Sequence, residues 1–264
     1  MNPSSATHLV LIPSYDTGPV LRPTVEAALA AWRPVWVVID GSTDGSERPL
    51  LELTRREPGL RILVSPENEG KGAAVLRGAT AAAAAGFTHA LLMDSDGQHP
   101  AESIRSFMTA SAADPAAMIL GRPVFGPEAP RVRRWGRQLS VGLAALEVFG
   151  PGIADPLFGF RLYPLAPLLE VFRATRGARR FDFDHETAVR LFWRGVRPRN
   201  LAAPCRYLPS SAGGVSHFRY GRDNVRLVGM HVRLLAALLF HLPRVNALRR
   251  RWSGDYNASV TAPS

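Results

Sequence analysis

Leu91-Leu92-Met93-Asp94-Ser95-Asp96-Gly97-Gln98-His99-Pro100 carries a short apolar run straight into two carboxylates one residue apart. The run over residues 89–93 has the length and composition of a buried strand, and it stops at Asp94. Acids placed just past a strand leave the regular ladder, so the oxygens of Asp94 and Asp96 can converge on one point with Ser95 between them. Such hard oxygen donors suit Mg2+ or Mn2+, which bridge protein carboxylates and substrate phosphates. An Asx turn leading to a helix start at Pro100 accounts for the same letters without any chemistry, so the placement of the pair has to decide.

Working outward from this stretch, the pattern repeats. Residues 8–12, 35–39, 60–64 and 117–120 are further β-like runs, and the alanine-rich segments 25–31 and 72–85 between them favour helix. Strands separated by helices imply parallel βαβ units and a Rossmann-like doubly wound, mostly parallel sheet with flanking helices, an α/β fold. Ligands of such sheets bind beyond the carboxyl ends of the strands. Those ends here read Pro13-Ser14-Tyr15, Asp40-Gly41-Ser42, Asp94-Ser95-Asp96 and Gly121-Arg122. Position and chemistry coincide at each of them.

Two of the turns carry further expectations. Asp40 can accept hydrogen bonds from a nucleobase or ribose, and Gly41 permits close backbone approach. Asp44 or Ser46 is expected to cap the following helix. In Asn68-Glu69-Gly70-Lys71-Gly72 the glycines flank the only lysine of the chain at a helix start, the composition of an anion cradle. The Walker spacing and the Ser/Thr after the lysine are absent, which excludes a P-loop.

The 264 residues, 46% hydrophobic, suffice for one large α/β domain, and no Gly/Ser/Pro-rich linker divides them. We expect a single domain over 1–252, including a C-terminal amphipathic helix, and a disordered tail over 253–264. The net charge of +10 calls for an anionic partner, and nearly all of it is arginine. A nucleic-acid module ranks last, because acids at the strand ends would repel phosphates unless a metal intervened, so no nucleic-acid partner is expected. A sugar nucleotidyltransferase would carry a glycine-rich basic run after the first strand, and residues 13–18 offer none. The lone Cys205 cannot form an intramolecular disulfide and suits a reducing cytoplasm. Residues 1–8 lack the basic and apolar regions of a signal peptide, and the apolar stretch 234–242 is too short to span a bilayer. A cytoplasmic protein, attached peripherally to the inner face of a membrane at most, is expected.

The second half predicts a long helix over 131–149, a helix over 185–193 and an apolar run over 196–207. From residue 225 to 245, Leu227, Val228, Met230, Leu234, Leu235, Leu238 and Leu239 recur at helical spacing. Arg222, Arg226, Arg233 and Arg244 lie among them, with Arg249 to Arg251 beside Trp252. Such a stripe suits a helix in the interface of an anionic membrane, or one packed on the domain or on a second subunit as a homodimer contact.

In order, these segments resemble glycosyltransferase family 2, of GT-A fold, and particularly its dolichol-phosphate mannosyltransferase branch. The likeness rests on Ile12 to Tyr15, Asp40 to Gly45, Asn68 to Gly72, Met93 to Pro100, Asp155 to Tyr163 with its Gly-Phe-Arg, Phe183 to Glu186, and Ser216-His217-Phe218. It covers roughly residues 7 to 230. The family often has two acids before Gly-Ser, where Ile39 stands first here, and its Tyr-Asn-Glu is Tyr15-Asp16-Thr17. The choice between a UDP- and a GDP-linked sugar therefore stays open. The resemblance implies a metal held by Asp94, Asp96 and Gln98, and a nucleotide site lined by Pro13, Tyr15, Asp40 and Lys71. Arg122 and the helix group Arg133, Arg137 and Ser140, spaced i, i+4 and i+7 on one face, are candidates for phosphates. Arg161, Arg219 and Arg222 are lesser ones. Asp184 and Glu186 are the acceptor-side acids: one serves as general base toward a hydroxyl, while a phosphate acceptor needs none. The implied activity is inverting transfer from a nucleoside-diphosphate sugar to a lipid-linked or amphiphilic acceptor such as a polyprenyl phosphate.

Overall fold

The computed structural model describes residues 5–126, 131–205 and 220–260; the side chains at 131–136, 220, 222 and 253–260 lie outside that description. Five of its strands are those expected from the apolar runs: β1 (His8–Ser14), β2 (Val35–Asp40), β3 (Leu60–Ser65), β4 (His89–Leu92) and β5 (Met118–Phe125). Two more, β6 (Arg161–Pro164) and β7 (Pro198–Cys205), complete a seven-stranded sheet in the order β3-β2-β1-β4-β6-β5-β7. All neighbours run parallel except β6, which is antiparallel to both β4 and β5.

Every residue of β1, β2 and β4 is buried, as expected where helices cover both faces of a parallel sheet. The two-residue side-chain period splits β1 between two cores. Leu9 and Leu11 join one with α3 (Lys71–Ala84), α5 (Arg131–Val148), α6 (Leu165–Ala174), α7 (Phe183–Trp193) and α8 (Tyr220–Val260). Val10 and Ile12 join the other with α1 (Leu21–Ala31) and α4 (Ile104–Ala113). The short α2 (Arg48–Leu53) leads into edge strand β3, whose partial exposure marks it as a border of the sheet.

The α8 helix departs from the sequence reading at its end and in its length of apolar span, and one of the expected alternatives, packing on the domain, accounts for its inner face. It continues to Val260, past the boundary at 253 where a tail was expected. Met230, Leu234, Leu238 and Trp252 are buried against the domain, with Trp252 edge-on to Phe192 at 5.2 Å. Its outward face carries Val228 and Leu239 of the expected stripe together with Val225, Val232 and Phe240, the last 88% exposed. One helical turn is 3.6 residues, so a continuous apolar composition splits into an inner and an outer stripe that letter counts merge. The segment Asp223–Trp252 is long and apolar enough to cross a membrane. The uninterrupted run over 234–242 understated that length, because isolated arginines break the run without lowering the average by much.

Candidate active site

The ends of β1, β2 and β4 open into one cleft of about 720 Å³, closed on its far side by the starts of α3, α7 and α8. Among the expected residues, Pro13, Tyr15, Asp40, Lys71, Asp94, Ser95, Asp96 and Asp184 all line it. A hydroxyl chain fixes the loop after β1: Ser14 and Thr17 are 2.9 Å apart, and Thr17 and Ser95 are 2.8 Å apart. Asp44 accepts the backbone N–H of Gly18 at 2.7 Å and that of Ser46 at 3.0 Å. It therefore staples the β1 loop to the β2 loop and caps nothing. Neither it nor Ser46 caps α2, whose N-terminus has no side-chain cap.

Asp40 is 2% exposed, and its two oxygens accept the backbone N–H groups of Glu69 and Gly70 at 3.1 and 2.7 Å. Burial raises its pKa against those two bonds. The carboxylate thus shapes the 68–72 turn before any ligand arrives. Gly41, at φ +66°, approaches the backbone of Glu67 and Asn68, where a Cβ would collide. The close approach inferred for this glycine is to the chain itself, and Gly41 does not line the cleft.

The anion cradle expected at the start of α3 is filled by protein. Asp40 takes the N–H groups of residues 69 and 70, and the carbonyl of Arg179 takes that of Ala73 at 3.0 Å. Lys71 instead reaches into the cleft, its Nζ 2.7 Å from Asp94 Oδ1 and 2.7 Å from Asp184 Oδ2. Burial opposes its charge, but Asp184 and then Asp94 outweigh that and raise its pKa. Gly159 packs over this pair: a Cβ there would sit 2.5 Å from Asp94 Oδ2 and 2.6 Å from Lys71 Nζ.

Of the two carboxylates, Asp94 is paired with Lys71. Burial, and then the neighbouring charge of Asp94, raise the pKa of Asp96, while Lys71 and His99 hold Asp94 low against its own burial. His99, enclosed with Phe158 and Phe160, accepts the Asp94 backbone N–H at Nδ1 (2.9 Å) and so orients the turn. Asp96 accepts the backbone N–H of Gln98 at 3.0 Å, the Asx turn of the alternative reading, yet Asp96 still faces the cleft. The structural and the chemical readings hold together. Gln98 contributes its backbone to that turn and does not line the cleft.

The acceptor-side acids separate. Asp184 faces the cleft, and its Oδ1 is buried with no hydrogen-bond partner. Glu186, two residues on and about 200° round the helix, is fully buried and paired with Arg190 (2.8 Å) and Arg233 (3.0 Å) away from the cleft. Among the described residues, the arginines expected to receive phosphates are employed elsewhere or exposed. Arg137 binds the buried Asp155 through two bonds, at 2.5 and 3.0 Å, while Asp155 accepts the N–H groups of Leu157 and Phe158. Arg161 is fully buried and donates to the carbonyls of Asp155, Phe158 and Asp184. Arg122 is exposed, and neither it nor Ser140 lines the cleft. The side chains of Arg133 and Arg222, the residue Arg219 and the motif Ser216-His217-Phe218 lie outside the described residues. The sequence reading missed Arg180, Phe181, Asp223 and Arg226, which line the cleft beside Asn68 of the expected cradle. Only Arg226, within the basic series of the last helix, left a signal.

A model of glycosyl transferase family 2 matches residues 9–172. No curated protein sequence matches the chain. Among solved structures it resembles S. aureus TarS 1-349, with a TM-score of 0.53 and 16% identity over 75% of this chain and 60% of that one. It also resembles glucosyl-3-phosphoglycerate synthase from Mycobacterium tuberculosis, solved with Mn2+, UDP-glucose and phosphoglyceric acid. There the TM-score is 0.57 and the identity 17%, over 90% of this chain and 80% of that one. The mannosyltransferase PcManGT from Pyrobaculum calidifontis, solved with GDP-Man and Mn2+, gives 0.55 and 17% over 94% and 75%. At these identities the likeness is one of fold.

Proposed function

The chain belongs to glycosyltransferase family 2, and on that premise we propose that it moves a sugar from a nucleoside diphosphate to a lipid-linked or amphiphilic acceptor, with residues 1–252 acting as one catalytic unit. The observation that carries this reading is the convergence of Asp94, Asp96, Lys71 and Asp184 on one cleft at the carboxyl ends of the strands. The order of motifs points further, to the dolichol-phosphate mannosyltransferase branch.

Asp94 and Asp96 fit a hard divalent cation, Mg2+ or Mn2+. Both are oxygen donors in one turn; burial, and then the charge of Asp94, raise the pKa of Asp96, and a cation would offset both. When bound, such an ion supplies Lewis-acid stabilisation of the departing diphosphate. The nucleotide lies against Pro13, Tyr15 and Asp40, and Lys71 balances charge between the metal-side and acceptor-side acids. Asp184 faces the acceptor: its carboxylate takes the hydroxyl proton as the acceptor oxygen bonds to the anomeric carbon and the bond to the diphosphate breaks, inverting that centre. A phosphate acceptor is the second reading. It is favoured by Arg180 and Arg226 in the cleft wall and leaves Asp184 to orient Lys71.

An acceptor of this kind would be met at a membrane. The outward stripe of α8 from Val225 to Phe240 spans about 22 Å at 1.5 Å per residue. Arg226, Arg244 and Arg249 to Arg251 follow along the helix, and no acid occurs between Asp223 and Asp255. This suits an in-plane helix on the anionic, cytoplasmic face of a bilayer. The experiment that tests the function is incubation with a panel of UDP- and GDP-sugars and Mn2+ without acceptor. Slow release of a nucleoside diphosphate from one donor is expected. Release of pyrophosphate from a sugar phosphate and a nucleoside triphosphate would instead make it a nucleotidyltransferase.

A further inference from the structure

Three helices behind the cleft meet on one carboxylate. Glu147 of α5 is 0% exposed; its Oε2 lies 2.6 Å from His185 Nε2 on α7, and its Oε1 lies 2.8 Å from His231 Nδ1 on α8. The two imidazoles stand edge to face with centroids 4.6 Å apart, and the indole of Trp193 donates to the Glu147 carbonyl at 2.9 Å. None of the three residues lines the cleft.

Two His and a Glu with ligand atoms within 4.8 Å of one another have the composition of a metal site. The geometry argues for hydrogen bonds. Donors around a tetrahedral Zn2+, each at about 2.1 Å, stand roughly 3.4 Å apart, well beyond the two N···O separations here. A metal on His185 Nε2 would also drive its proton to Nδ1, which is buried without a partner, whereas metal-bound histidines donate from their second nitrogen. An ionised carboxylate only accepts, so both rings donate to it. Burial works against the charge on Glu147, yet the bonds from His185 and then His231 outweigh it and lower its pKa, while burial keeps His185 neutral.

What the clamp holds gives it meaning. On α7, Asp184, His185 and Glu186 point about 100° apart: to Lys71 and the cleft, to Glu147, and to Arg233 of α8. On α8, His231 lies five residues, about 7.5 Å along the axis, beyond Arg226 in the cleft wall. We propose that Glu147 is a positioning residue for glycosyl transfer: through His185 and His231 it sets the separation between Asp184 and the α8 wall, Asp223 and Arg226, across which the acceptor binds. The inference rests on the reading of the cleft as a transferase site.

Glu147→Leu removes both acceptors at similar volume. Glu147→Gln keeps the clamp, because its amide oxygen accepts from His185 while its amide nitrogen donates to His231 Nδ1, whose proton moves to Nε2. We expect the leucine variant to lose transfer about tenfold to hundredfold, as misplacement away from the chemistry does. Its Mn2+-dependent donor affinity and its acceptor-free donor hydrolysis stay at the wild-type level, and the glutamine variant transfers normally. Should the leucine variant fail to fold, His231→Phe releases α8 alone. It is then expected to raise the acceptor KM while leaving kcat and donor affinity unchanged. Wild-type transfer by Glu147→Leu overturns the proposal, as does a parallel loss of donor binding, hydrolysis and transfer. One equivalent of zinc in the wild type that His231→Phe loses overturns it in favour of a metal site. A wild type that neither binds nor cleaves any donor removes the transferase reading itself, and the positioning role with it.

Discussion

The strand-end wall of the cleft and its helical wall are built by different means. Pro13, Asp40, Asp94 and Asp96 each sit within a few residues of a strand buried over its full length, so the sheet alone brings them together. The opposite wall draws Asp184 from α7 and Asp223 and Arg226 from α8, and it keeps its register through buried acids: Glu147 with two histidines, and Glu186 with Arg233. Backbone pairing fixes the first wall. Side-chain pairs between helices fix the second, and such buried pairs hold the helices in one arrangement. The difference predicts that, if the strand-end wall binds the donor and the helical wall the acceptor as proposed, mutation separates the two.

The largest effect that sharpens this division is expected at Asp184. If the acceptor is a hydroxyl, Asp184→Asn lowers turnover by about 10²- to 10⁴-fold while donor affinity under saturating metal is retained. Full activity in this variant would move the account to a phosphate acceptor. A milder effect concerns the outward stripe of α8. Replacing Val232 and Phe240 with serine leaves the buried stripe intact, so donor hydrolysis persists while flotation with anionic vesicles is lost. Flotation should also weaken with salt, and equal flotation of variant and wild type would return α8 to a protein contact.

The smallest expected effect belongs to the far end of the sheet. Burial, and then His89 stacked on it at 4.4 Å, lower the His8 pKa to about 4. The unfolded chain takes up this proton near pH 6.5 and the folded one does not, so stability falls as pH drops from about 6.5 to 4 and then levels. His8→Gln should reduce the drop in melting temperature across that window without changing donor binding. Identical pH profiles for the two proteins would contradict the assignment.

How far the letters carried follows the same division. β1, β2 and β4 were legible because full burial on both faces makes a strand a nearly unbroken apolar run, and the polar residue after it marks the ligand side. The antiparallel β6 was not, since four residues within Arg161–Pro164 carry no direction of their own. Asp184 and Glu186 read alike in sequence, and only the phase of α7 sends one to the cleft and the other to Arg233. Arg137 matched a phosphate-binding pattern on its own helix, but Asp155, 18 residues away, takes its guanidinium. Helix phase and long-range ion pairs are tertiary facts, and one residue of offset reverses the inference.

The central claim is that Asp94 and Asp96 hold the metal through which the strand-end wall binds the donor diphosphate. Calorimetric titration of the donor identified in the sugar-nucleotide panel, with and without Mn2+, into the wild type and Asp96→Ala tests it most directly. The account predicts Mn2+-dependent binding in the wild type and none in a variant that melts normally. An unchanged Mn2+-dependent affinity in Asp96→Ala would contradict it.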